Sequence, residues 1–157
     1  MDLPNRKLPR LTNFDYSKPN YYYVTVCTAN KEELFGMPDC PTMLGIIAAE
    51  QLKILGEMFE GVHTDRFVVM PNHIHAVIVI GHDGKSNQTR KLPSLSAVMS
   101  QYKMRVTKAA RKLYPNLKVW QTSFYDTIIR NRDAYINISR YIEENLSKWN
   151  SNEGFDY

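Results

Sequence analysis

Cysteine is nearly absent. Cys27 and Cys40 are the only two among 157 residues, and neither a paired spacing nor a secretory context surrounds them. That excludes a disulfide scaffold and leaves free thiols in a reducing compartment as the default. Long apolar runs are missing too: no stretch approaches the roughly 20 residues of a membrane span, and the N-terminus lacks a signal-peptide core, so a cytoplasmic protein with no membrane partner is expected. Histidine is scarce, at four residues, and His63 and His82 stand alone in expected loops with no assignable role. The basic excess is small. A net charge of +4 and a pI near 9.0 hint at a negatively charged partner without requiring one. Apolar residues, at 43%, suffice for one core in one domain of this length.

The other two histidines carry the most information. His73 and His75 lie in the run 68–80, VVMPNHIHAVIVI. A strand repeats its side-chain direction every two residues, so both imidazoles leave one face together. Rings about 7 Å apart along such a strand can close on one divalent cation if a third ligand arrives from elsewhere. Paired histidines also occur on strands as packed or hydrogen-bonded residues, so the pair alone leaves both readings open.

A candidate third ligand comes from the segment 133–149. Ile138, Ile142, Leu146 and Trp149 repeat there at helical spacing, with Asp133 as the expected N-cap. Tyr141 and Asn145, four residues apart, project a phenol and a carboxamide from one face, and the amide oxygen can complete a metal site. The plain alternative for Tyr141 is a half-buried helix aromatic with its hydroxyl satisfied.

Periodicity places strands over about 21–28, 66–70, 73–80 and 119–129, and helices over 43–60 and 95–113 before the last helix. Pro71-Asn72 supplies a turn between adjacent strands. This is a βαββαβ order with an added helix, which argues for an α+β sandwich with an antiparallel sheet.

Arg105, Lys108 and Lys112 fall on one stripe of the second helix, with Lys103 and Arg111 beside it. They make either a phosphate-binding surface or a solvated helix face. Residues 1–19, with Arg6, Lys7 and Arg10 among three prolines, read as an extended basic arm preceding a domain over 20–150 and a tail over 151–157. The stretch 81–91 reads as a flexible loop whose Lys85, Arg90 and Lys91 suit backbone phosphates. Tyr21, Tyr22 and Tyr23 open the first strand, where they either stack exposed bases or build the strand with one ring in the core.

Several blocks together resemble the REP-associated tyrosine transposases, single-tyrosine transposases of the HUH endonuclease superfamily. They are VTVCTANK at 24–31, LFG at 34–36, VVMPNHIH at 68–75, Trp120-Gln121, FYD at 124–126, IIRN at 128–131 and Tyr141-Ile142. They stand in the family's order and spacing and cover about 16–149. The resemblance implies a ferredoxin-like HUH fold whose added C-terminal helix carries the nucleophile. It places the metal-binding histidines on His73 and His75, the nucleophile on Tyr141 and the third metal ligand on Asn145. Two departures stand out: Thr127 where relatives often have His, and Leu146 where Pro commonly follows the asparagine. Thr127 weakens any claim of proton transfer or auxiliary metal binding from that strand.

The implied activity is cleavage and rejoining of single-stranded DNA at hairpin-forming repeats through a 5′-phosphotyrosine, with magnesium or manganese as the divalent metal ion. A free phenol, with a pKa near 10, is a poor nucleophile, so something must stabilise the developing charge. The implied partner is hairpin DNA with an adjacent single strand, bound by a monomer or homodimer. Related insertion-sequence transposases exchange the last helix between subunits. A catalytically silent hairpin-binding module and a metal-dependent phosphodiesterase using water are the alternatives.

Overall fold

The structure, a computed structural model, describes residues 19–81 and 91–150. The expected basic arm with Arg6, Lys7 and Arg10, the tail 151–157 and Lys85 and Arg90 lie outside the described residues. In chain order the elements are β1 (Asn20–Cys27), β2 (Gly36–Met37), β3 (Cys40–Pro41), α1 (Met43–Lys53), α2 (Leu55–Met58), β4 (Val62–Met70), β5 (His73–Ile80), α3 (Leu95–Leu113), β6 (Tyr125–Ile129) and α4 (Arg132–Asn150).

The main sheet has the order β4-β5-β1-β6, and every pairing in it is antiparallel. With α1 and α2 connecting β1 to β4 and α3 connecting β5 to β6, this is the ferredoxin-like α+β arrangement expected from the sequence. Helix α4 is the addition. Residues 36–41 form a small separate hairpin that the periodicity did not mark.

Strand β5 is buried along its whole length, because both faces of the sheet are covered. Ile74, Ala76, Ile78 and Ile80 join Val24 and Val26 of β1 in the main core, against Leu44, Ala48 and Leu52 of α1 and Val98, Met99, Tyr102, Val106 and Ala110 of α3. Each large side chain buried there contributes about 1.5–3 kcal/mol. Tyr102 donates to the Ala48 carbonyl at 2.9 Å and ties the two helices together. Thr42 caps α1 by accepting from the Gly45 amide, and a side chain at Gly45 would collide with the Phe35 carbonyl. Ser94 caps α3 in the same way.

The register sends the alternate residues of β5, His73 and His75 among them, to the other face, where α4 lies. Strand β4 inverts its side-chain alternation at a bulge between Thr64 and Arg66. Before it, Val62 and Thr64 sit opposite Ile80 and Ile78; after it, Arg66 sits opposite Val77 and Val68 opposite His75. The extra residue, Asp65, accepts from the Tyr135 hydroxyl of α4 at 2.6 Å.

Four boundaries depart from expectation. The helix expected over 43–60 breaks at Ile54, whose ψ of 9° leaves the helical range. The strand expected to begin at 66 begins at Val62, so His63 is a strand residue; the bulge shifts the alternation and hides its first half. The strand expected over 119–129 reduces to a single bridge, Thr28 with Trp120, followed by β6. Helix α4 starts at Arg132, and its cap is Asn131, whose Oδ1 accepts from the Ala134 amide at 2.8 Å, rather than Asp133.

Candidate active site

Four sequence-singled residues meet between β5 and α4. His73 and His75 are buried, as is Asn145. The two imidazole centroids are 4.7 Å apart, and the Tyr141 ring stands edge-on to His75 at 5.4 Å. Helix α4 thus lies over its own chain's sheet with a half-buried phenol beside the histidines.

Hydrogen bonds fix which atoms face inward. The Asn145 Nδ2 group donates to the Tyr141 carbonyl at 2.7 Å. A carbonyl only accepts, so the amide nitrogen must face it and Oδ1 must turn the other way. That oxygen is buried without a hydrogen-bond partner among the described residues. The same logic runs through Asn72: its Nδ2 donates to the Lys31 carbonyl at 3.4 Å, which turns its Oδ1 toward His73 Nδ1 at 2.7 Å. An amide oxygen accepts, so His73 carries its proton on Nδ1 and presents a lone pair on Nε2. His75 Nδ1 meets the hydroxyls of Tyr23 at 2.9 Å and Thr25 at 3.0 Å, leaving Nε2 buried and without a hydrogen-bond partner.

Electrostatics keep these groups neutral. Burial lowers the pKa of His73 to about 4. Burial first, then the neighbouring His73, lowers His75 to about 3. Burial also pushes the Tyr23 phenol well above its ordinary range. Two neutral imidazoles and an amide oxygen form a donor set fit for a divalent ion, each with a second atom held by a neighbour. Among the described residues no group of three His, Cys, Asp or Glu side chains converges; the third polar group beside the two imidazoles is the Asn145 amide.

Asn72 and Thr25 are site residues that sequence reasoning missed, and Tyr23, singled out there as a base-stacking or strand aromatic, holds His75 instead. The sequence marks Asn72 only as a turn former, although it directly precedes His73. Thr25 lies opposite His75 in the register, a relation that becomes readable once β1 and β5 are paired. Tyr23 stacks on the His75 ring at 5.6 Å, and Tyr21 meets Tyr135 edge-on. Asp126 lies opposite Val24, on the core face, away from the histidines. Thr127 lies opposite Tyr23 on the site face.

The basic stripe is elsewhere. Helix α3 packs on the core face of the sheet, whereas the histidines leave the other face, so Lys103, Arg105, Lys108 and Lys112 do not converge on the site. Half-buried Lys103 donates to the carbonyls of Gln121 at 2.7 Å and Thr122 at 3.3 Å, and burial lowers its pKa. Arg105 donates to the Gln51 side chain of α1. Lys108 and Lys112 are exposed.

No family model matches the chain. A solved REP-associated tyrosine transposase bound to a REP hairpin superposes with a TM-score of 0.65 at 17% identity, over 96% of this chain and 76% of that one. A proposed transposase from Deinococcus radiodurans R1 superposes at 0.54 with 13% identity, over 87% and 97% of the two chains. The chain has the fold of the REP-associated tyrosine transposases, the group it resembles in motif. In sequence it is 31% identical, over a 166-residue alignment covering 95% of this chain and 92% of the other, to an uncharacterised protein of Haemophilus influenzae Rd. The chain belongs to one family with that protein. Among the described residues no helix is long and apolar enough to cross a membrane.

Proposed function

We propose that this chain is a tyrosine transposase that cuts and rejoins single-stranded DNA at hairpin-forming repeats. The observation that carries the reading is the pair of buried polar atoms without hydrogen-bond partners, His75 Nε2 and Asn145 Oδ1, beside a tyrosine ring on the same helix as the asparagine. An apolar packing role gives such atoms no reason to be there, since an unmade buried hydrogen bond costs about 1–3 kcal/mol. A ligand does.

His73, His75 and Asn145 would hold a divalent ion, magnesium or manganese. Such an ion, when bound, would supply positive charge against the negative charge that builds on the phosphate in the transition state. Tyr141 supplies the nucleophile. Its Oη forms the new bond to phosphorus as the phosphorus to 3′-oxygen bond breaks; the phenolic proton leaves to solvent, and the departing oxygen takes up a proton to become a 3′-hydroxyl. The 5′-phosphotyrosine keeps a phosphodiester-like linkage, so an incoming 3′-hydroxyl can reverse the step without a nucleotide cofactor. Tyr23, Thr25 and Asn72 hold the imidazoles in orientation.

The test is incubation of the full chain with manganese and labelled hairpin DNA bearing single-stranded flanks. A denaturation-resistant adduct in the wild type, absent in Tyr141→Phe, is expected. Hairpin binding without cleavage in the wild type would instead mark a silent binding module. Undiminished cleavage by Tyr141→Phe would make water the nucleophile.

A further inference from the structure

Beyond the reaction centre the molecule carries an open cleft of about 580 Å³, lined by Ala29, Asn30, Lys31, Lys118, Gln121 and Thr122. Two segments far apart in sequence build it, and they are fastened together. The Ala29 amide donates to the Val119 carbonyl, and the Gln121 amide to the Cys27 carbonyl. Lys103 pins the outer wall through the carbonyls of Gln121 and Thr122.

The floor is strained. Asn30 and Lys31 both adopt positive φ, 55° and 56°, a conformation that costs a lysine on the order of 1 kcal/mol or more. Such strain persists only where the surroundings enforce it and is concentrated at functional positions. Here Thr28 enforces it by donating to the Glu32 carbonyl at 2.7 Å, and Asn72 by donating to that of Lys31. Asn72 is the same side chain that orients His73. One residue therefore joins the cleft floor to the reaction centre.

The lining suits one class of ligand. Two lysines supply positive charge, two amides and a hydroxyl supply directional hydrogen bonds of both senses, and among the described residues no carboxylate lines the cleft. A space of this size is in the range of small-molecule sites. We propose that this cleft holds an unpaired nucleotide of the strand being cut, with Lys31 and Lys118 on its phosphate and Asn30 and Gln121 on its base edge. Amides read base edges by paired donor and acceptor contacts, whereas lysines fix position without reading sequence. The proposal rests on the DNA-cleaving reading above and adds to it a place where sequence next to the scissile phosphate is recognised.

The test uses the full chain with EDTA present, so that no cleavage intervenes, and two labelled probes: one hairpin with a short single-stranded extension and the same hairpin with blunt ends. The variant Lys31→Asn/Lys118→Ala keeps a residue that tolerates positive φ at 31 and alters an exposed side chain at 118. Its affinity for the extended probe should fall at least about fivefold, with the salt dependence flattened by about 0.7 in log–log slope per lysine, while blunt-hairpin affinity changes less than about twofold. Gln121→Ala should lose discrimination among extension sequences. Equal losses on both probes, or none on the extended one, would overturn the cleft as a nucleotide site and leave the transposase reading standing. A wild type that binds neither probe would overturn both.

Discussion

Replacing Asn72 by alanine tests how the metal-binding geometry is imposed, because this residue holds His73 by Nδ1, the ring nitrogen other than the inward-facing Nε2. The substitution removes the acceptor 2.7 Å from His73 Nδ1 and leaves a buried N–H unsatisfied, which costs about 1–3 kcal/mol of folding stability. It also frees the imidazole to take the other tautomer, which places a proton where a metal would bind. Loss of such an orienting partner weakens metal affinity about 10- to 100-fold, equivalent to about 1.4–2.7 kcal/mol. Manganese titration followed by water-proton relaxation or calorimetry reads this directly. Asn72→Asp restores an acceptor and should recover most of the affinity. Thr42→Ala, which removes the α1 cap at about 1 kcal/mol, is the control for destabilisation alone. Manganese bound equally tightly by Asn72→Ala and wild type, or weakened as much by Thr42→Ala, would refute the tautomer argument.

The buried histidines predict acid sensitivity of the metal-free protein. Their ordinary pKa of 6.5 in the unfolded chain falls to about 4 and 3 in the fold, so the unfolded state binds more protons between these values. Stability is then complete above about pH 6.5 and declines as pH falls toward the folded values, by up to about 1.4 kcal/mol per pH unit for each ring. Urea titrations in EDTA at pH 7 and 4.5, with the His73→Asn/His75→Asn variant as reference, should show a steeper loss in the wild type; parallel losses would contradict the assignment. Ile74→Ala opens a cavity beneath the histidines and should cost about 2–5 kcal/mol in the same titration, and a loss under 1 kcal/mol would contradict the packing described. Glu143→Ala removes the 2.8 Å ion pair between α4 and Arg66; with Glu143 largely exposed, the expected change is at most about 1 kcal/mol, and a larger one would mean the pair anchors the helix.

Where a single physical signal dominated, sequence and structure agree residue for residue. Strand β5 begins at His73 and ends at Ile80, and α3 spans Leu95 to Leu113, as their apolar patterns indicated. Spacing put His73 with His75 on one strand face and Tyr141 with Asn145 on one helix face, but it was the resemblance to the transposases that joined the two pairs in one site. Long-range partners were not legible. Tyr23 and Thr25 reach His75 only because β1 pairs with β5 in one register, and Asn72 acts through a carbonyl 41 residues away. The basic stripe on α3 shows the converse: its spacing was correct, but which face of the sheet it would occupy was decided by packing.

The extra residue at Asp65 means that β4 changes its reading frame midway. Its alternation inverts there, so Val62 before the bulge and Val69 after it both face the main core although an odd number of positions separates them. Removing one position there would invert Val62 and Thr64 together, a far larger disturbance than any point substitution along the strand.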